Sequence, residues 1–160
     1  MRGEIAKPKD LSTVEEQTVF FAPTFALNFG QVHQTRPYVS PDTKEWVVAN
    51  ATLIPQADGH KRAFVHFEVT VESFRREMGA SKASKDSNAY ELRVVDGRTG
   101  KVVIDSGHPQ RVGAALGVPS DARFASLARA ARPAGVTEVA GHRTAYRRIR
   151  SAAGNVNDWI

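Results

Sequence analysis

Residues 36–71 read RPYVSPDTKEWVVANATLIPQADGHKRAFVHFEVTV. Three strand-like runs are separated by two turns. Val39 to Pro41 leads into a Pro41-Asp42-Thr43-Lys44 turn, Trp46 to Ile54 forms the second run, and Ala63 to Val71 forms the third after Asp58-Gly59. Proline early in a turn presets φ, and Asp-Gly tolerates positive φ, so both connections suit antiparallel hairpins. The third run alternates. Phe64, His66, Glu68 and Thr70 share one face, and Val65, Phe67, Val69 and Val71 share the other. The second set is uniformly apolar and is expected to face a core. The first set brings a carboxylate and an imidazole to the middle of the opposite face.

On the N-terminal side, residues 1–10 are polar and read as a flexible start. Ser12-Thr13-Val14-Glu15-Glu16 reads as a helix opening, with a hydroxyl cap and acidic residues where the helix dipole favours them. Pro23 breaks or restarts that helix. Phe20, Phe21, Phe25, Leu27 and Phe29 form a dense aromatic cluster that either packs on the following sheet or walls an apolar pocket. On the C-terminal side, Val71, Phe74 and Met78 fall at i, i+3 and i+7, so a short amphipathic helix ending at Gly79 is expected.

The polar run SKASKDSN at 81–88 is the best boundary candidate. Beyond it come a strand from Tyr90 to Val95, an Asp96-Gly97-Arg98-Thr99-Gly100 turn and a return strand from Lys101 to Ile104. A helix begins at Pro119-Ser120-Asp121, with Phe124, Leu127, Ala128 and Ala131 on one face, and ends at Pro133 and Gly135. Strands at 136–139, 142–150 and from Asp158 follow. Antiparallel hairpins with a helix packed on one face make an α+β layer fold, and five strands interrupted by one helical segment is the PAS-like order. Two units are expected, residues 1–80 and residues 88–160.

The composition bounds the function. At 160 residues and 41% hydrophobic content, a packed core is affordable and wholesale disorder is not expected. There is no cysteine, so disulfides and thiolate metal sites are excluded. No apolar run of about 18 residues spans a bilayer, and no apolar leader follows Met1-Arg2-Gly3-Glu4. The chain is expected to be soluble as it stands and to be a piece of a longer membrane protein. The net charge of +5 is concentrated after Pro109, in Arg111, Arg123, Arg129, Arg132, Arg143, Arg147, Arg148 and Arg150. Such a surface either meets a polyanion or is simply solvated.

Catalytic signatures are missing. The sequence has no G-x-S-x-G, and Gly113-Ala114-Ala115-Leu116-Gly117 lacks the Lys-Ser/Thr of a phosphate loop. The five histidines (His33, His60, His66, His108 and His142) form no close pair, so neither a metal nor a cofactor is expected. No carboxylate pair stands out for acid/base work, and an enzyme is not expected.

The order of motifs nevertheless points to a family. FFAPTFALNFGQVHQTRPYVSPDTKEWVVANATLI (20–54), a Gly-containing turn and AFVHFEV (63–69) closely resemble the end of the membrane-distal module of double-Cache sensors. The matching positions are Phe20-Phe21, Gly30, Pro37-Tyr38, Asp42-Thr43, Trp46 to Pro55, and Glu68. VVDGRTGKVVIDSGHPQRVG (94–113) and the late Asp-Trp strand resemble a second such module. The resemblance covers roughly residues 14–160, without the family's long N-terminal helix and the first strands of the distal module. It implies an extracytoplasmic small-ligand sensor lying between transmembrane helices of a bacterial histidine kinase, diguanylate cyclase or chemoreceptor. A cytoplasmic output domain follows from the same resemblance, and a homodimer is compatible with it.

The resemblance also assigns residues. In amino-acid-binding members, an Arg two positions before the aromatic pair grips the ligand carboxylate, and an Asp on the last distal strand holds the amino group. Here those positions are Thr18 and Glu68, while Tyr38 is retained. The ligand-binding residues implied are Phe20, Phe21, Tyr38 and Glu68, and a cationic or amine ligand is physically consistent with them. Two other function classes remain open. One is a basic module for nucleic acid or an anionic membrane surface, built on HRTAYRRIR at 142–150. The other is a ligand-free structural or dimerising segment.

Overall fold

A computed structural model describes residues 15–80, 91–117, 121–128, 132–139, 141–150 and 155–160. The first sheet is built on β3 (Trp46–Leu53). The third run of the opening stretch, β4 (Phe64–Thr70), pairs with it antiparallel along its whole length, from Val47 opposite Thr70 to Leu53 opposite Phe64. The other edge of β3 takes two short pieces end to end. β1 (Val32–Gln34) pairs with Asn50 to Thr52, and β2 (Tyr38–Val39) pairs with Trp46 and Val47. Between them Pro37 has no N–H to give, and Thr35 fills the gap. The Thr35 N–H donates to the Ala49 carbonyl, and its hydroxyl accepts the Ala49 N–H, both at 2.9 Å. The β1 piece has no sequence counterpart above, because Val-His-Gln is too short to display an alternation.

The hairpin turns fall where Pro41-Asp42 and Asp58-Gly59 put them. Gly59 takes φ 72° in the second, and Lys44 takes φ 61° in the first. β4 runs directly into α2 (Val71–Ala80), the expected amphipathic helix. Ahead of the sheet, Glu15–Gln17 form a 3-10 turn and α1 (Phe21–Phe25) is a single short helix holding Pro23.

The alternation of β4 is as expected, but the burial of its two faces is not. Val65 is 52% and Phe67 60% exposed, so these two do not lie in a core. Only the end of that face nearest α2 is covered, at the fully buried Val48 and at Val71. The face carrying Phe64, His66 and Glu68 is the one that α1 and Phe20 lie on. Alternation divides a strand into two faces; what covers each depends on elements far away in sequence.

The second sheet runs β6 (Lys101–Asp105), β5 (Arg93–Asp96), β10 (Asp158–Trp159), β9 (Ile149–Arg150). β7 (Ala134–Val139) and β8 (His142–Arg147) form a ribbon, and Arg148 alone separates β8 from β9. The Arg148 N–H donates to the Pro133 carbonyl at 2.6 Å across that break. Taking β8 and β9 as one interrupted strand, the order is second, first, fifth, fourth, third, the PAS-like arrangement. α3 (Ala122–Ala128) connects the hairpin to the ribbon. The first part of its expected capping segment lies outside the described residues, as does the 81–88 loop.

The two sheets share a core. Val71, Val103 and Ile104 are buried together, with Trp46, Phe74, Met78 and Trp159 packed around them. Gly113, at φ 81°, lies so close beneath the Trp46 indole that a Cβ there would overlap the ring. A polar seam runs beside this core. The Gln34 side-chain carbonyl accepts from Asn155 at 2.6 Å and Asn157 at 3.1 Å, while its amide donates to Asn50 at 3.0 Å.

Candidate functional site

The four residues expected to bind a ligand all belong to the covered side of the first sheet. β2 places Tyr38 opposite Val47, and β4 places Glu68 opposite Ala49, so the two side chains meet diagonally across β3. The Tyr38 hydroxyl donates to Glu68 Oε1. Burial raises the Tyr38 phenol well above its usual range, and the hydrogen bond to the Glu68 carboxylate adds to it. Tyr38 therefore stays protonated and remains a donor at any physiological pH.

Phe20 is 1% exposed and packs on Ala49 and Ala51, whose small side chains leave the room that its ring fills. It stacks on His66 with ring centroids 4.4 Å apart and meets the Phe64 edge at 6.0 Å. Phe21 turns instead toward Phe25 and Phe64, at 5.0 and 5.7 Å. Phe20, Tyr38 and Glu68 thus gather over Ala49, with Phe21 one step out along the aromatic cluster.

Two histidines join this face that the resemblance does not supply. His33 on β1 and His66 on β4 both lie opposite Ala51, one on each side of β3, and His33 is buried. His66 Nδ1 is buried without a hydrogen-bond partner among the described residues. The sequence signal for His66 was its place in the Phe64-His66-Glu68 alternation. His33 had none, since β1 was not legible. Among the described residues no group of three or more His, Asp or Glu could hold a metal ion, and no helix is long and apolar enough to cross a membrane.

Thr18, at the position where the resemblance puts an arginine, is turned onto its own segment. Its hydroxyl donates to the Glu15 carbonyl at 2.6 Å. The site as built offers one carboxylate, one neutral donor, a buried imidazole and aromatic walls. That chemistry suits a cation or an amine better than a free carboxylate.

The basic run behaves differently. On β8, Arg143 and Arg147 point to solvent, and Arg143 lies opposite Glu138. Arg148 turns the other way, to Asp158 at 3.4 Å, and Arg111 is spent on Asp121 at 2.5 Å. Part of the positive excess is therefore consumed inside the fold.

No protein-family model matches the sequence, and no curated protein matches it either. Solved structures do. The ligand-binding domain of the Pseudomonas fluorescens chemoreceptor CtaA, in complex with L-isoleucine, matches 87% of this chain and 52% of its own at a TM-score of 0.56 and 16% identity. That of the Pseudomonas aeruginosa chemoreceptor PctB, with L-Gln, matches 99% of this chain and 59% of its own at 0.54 and 22%. That of PctC, with GABA, matches 81% and 51% at 0.53 and 21%. The chain spans a little over half the length of these domains. It has the fold of chemoreceptor ligand-binding domains, the Cache-type sensor fold that its sequence resembles.

Proposed function

We propose that this chain is the extracytoplasmic, small-ligand-sensing part of a bacterial signal-transduction receptor, and that the covered face of the first sheet receives the ligand. The fold supports a sensor, and the similar domains were solved with L-isoleucine, L-Gln and GABA. The single observation that carries the site is Glu68. It is a partly buried carboxylate whose one hydrogen bond among the described residues comes from a neutral phenol, so no cation among those residues cancels its charge. An ammonium group would complete it, with Tyr38 holding the carboxylate in place and Phe20 and Phe21 as aromatic walls.

The absence of an arginine at Thr18 argues for an amine or other cation over an α-amino acid gripped by its carboxylate. Residues 1–80 would form part of a membrane-distal module and 88–160 the membrane-proximal one, with flanking transmembrane helices and an output domain in the full protein and a homodimer as the working assembly. The role is binding, not catalysis. Ligand would act by its different affinity for two signalling conformations.

Thermal-shift and calorimetric titration with primary amines and L-amino acids tests this reading. An amine that raises the melting temperature of the wild type should lose that effect in Glu68→Ala. The same shift in both proteins would remove Glu68 from the site. A ligand-free scaffold is the competing reading, favoured by Phe20, which fills the space over Ala49 and Ala51 with the protein's own ring. It predicts no stabilising amine at all.

A further inference from the structure

We propose that the outer edge of β4 pairs with the same edge of a second copy of this chain, antiparallel about a two-fold axis at Phe67. This gives the homodimer proposed above its interface, and it stands whether or not Glu68 receives a ligand.

The edge is open and unprotected. Among the described residues β3 is the only strand paired with β4. The Ile54 N–H donates to the Ala63 carbonyl at 3.0 Å, in the register that also sets Leu53 opposite Phe64. In an antiparallel ladder the main-chain groups of successive residues turn to alternate sides. Val65, Phe67 and Val69 therefore give theirs to β3. Phe64, His66 and Glu68 hold theirs toward the free side, as does Thr70 just before α2. Edge strands are ordinarily blunted by proline, lysine or a bulge. Residues 64–70 contain neither proline nor lysine, and they pair with β3 without a register shift. Val65 and Phe67, on the face away from α1, are more than half exposed.

The strand is complementary to itself. Two copies of one edge related by a two-fold axis run antiparallel, and only outward-turned residues can exchange hydrogen bonds, so the axis must pass through a residue. Centred on Phe67, the pairing sets His66 opposite Glu68 of the second copy and Phe64 opposite its Thr70. Every outward-turned residue of β4 then has a partner, and each Glu68 carboxylate faces an imidazole. Centred on Glu68, the two carboxylates would face each other, which is repulsive. Centred on His66, Thr70 would fall opposite Arg62, outside the strand. On the other face of the Phe67-centred pair, Val65 lies opposite Val69, and the two Phe67 rings meet on the axis as a non-hydrogen-bonded pair, in which side chains lie closer. The apolar surface left uncovered in one copy is thereby shared between two. A single strand edge is a small interface, so dilute protein is monomeric and the pairing fills as concentration rises.

Sedimentation velocity on the full chain, from micromolar to millimolar protein, tests the interface and should show a dimer growing in with concentration. Phe67→Lys puts like charges on the axis and should weaken association at least about tenfold, as should Phe67→Glu. Both variants should keep the wild-type circular dichroism, since Phe67 is exposed. Mixed in equal amounts, the two should associate more tightly than either alone, because the axis then joins opposite charges. Val32→Lys, at an exposed position on the other side of the same sheet, should leave association unchanged. Wild type that stays monomeric at millimolar concentration overturns the proposal. So does unchanged association in Phe67→Lys, or a loss in Val32→Lys equal to that in Phe67→Lys. A dimer that breaks at Phe67 in a protein that no amine stabilises would uphold this interface and refute the reading at Glu68.

Discussion

Asp121 and Glu68 are both carboxylates tucked against a sheet, and they are held in opposite ways. Asp121 is 2% exposed and fully answered. It accepts from Arg93 Nη1 at 2.6 Å, from Arg111 through both terminal nitrogens at 2.9 and 2.5 Å, and from the Gly117 N–H at 3.0 Å. Arg93 in turn reaches Asp105 at 2.8 Å and Glu91 at 2.6 Å, and its guanidinium lies 4.1 Å over the Phe124 ring. Charges closed on one another in this way are scaffold. Among the described residues Glu68 has a single neutral donor, and it is only partly buried, so its capacity to attract a cation is unspent. The proposed site at Glu68 rests on the incompleteness of that carboxylate's partners more than on its depth.

The largest effect should come from breaking the closed network. Asp121→Ala removes the carboxylate that Arg93, Arg111 and the Gly117 N–H share and should lower unfolding stability by about 3–5 kcal/mol, read by chemical denaturation. Glu68→Gln at the proposed site should change stability by less than about 1 kcal/mol, because a neutral acceptor for Tyr38 remains. A cost for Glu68→Gln as large as that for Asp121→Ala would erase the contrast between the two carboxylates.

These two sites were unequally legible in the sequence. Glu68 lies on a strand whose alternation was plain, whereas Tyr38, on a strand of two residues, was tied to it only by the family resemblance. The network draws on Arg93, Asp105, Arg111 and Asp121, which no period connects. Arg111 counted only as one more charge in a basic C-terminal half. The hairpins, α2 and the β5–β6 turn were readable because they are local. β1 and the burial of each face of β4 were not, since each depends on which distant element arrives to cover or to pair.

A middle-sized effect is expected at the seam between the sheets. Gln34→Ala leaves Asn155 and Asn157 without their common acceptor and should cost about 1–2 kcal/mol. Tyr38→Phe should be destabilising at neutral pH, with a pH signature of its own. The folded state raises the Tyr38 pKa above the unfolded value of about 10, so its contribution is whole below that pH and is lost as pH rises beyond it. The stability gap between wild type and Tyr38→Phe should therefore narrow in denaturation curves taken above about pH 10. A gap that widens there would mean that Tyr38 ionises more readily in the folded protein. The smallest effect is expected at Phe67, whose ring is 60% exposed. Phe67→Gln should change stability by no more than about 0.5 kcal/mol in the same assay, whereas a core position would lose several times that.

Gln34 has both ends of its amide engaged, its carbonyl with two asparagines that lead into β10 of the second sheet and its nitrogen with Asn50 of the first. Such a side chain works as a gauge block. It fits one spacing between the sheets and no other, because the amide is rigid and hydrogen bonds weaken steeply with distance and angle. A shift of one sheet past the other by an ångström would not stretch this contact gradually; it would release it. The seam thus converts a continuous displacement into a contact that is either made or broken, which is the form in which a small movement can be passed on without being averaged away.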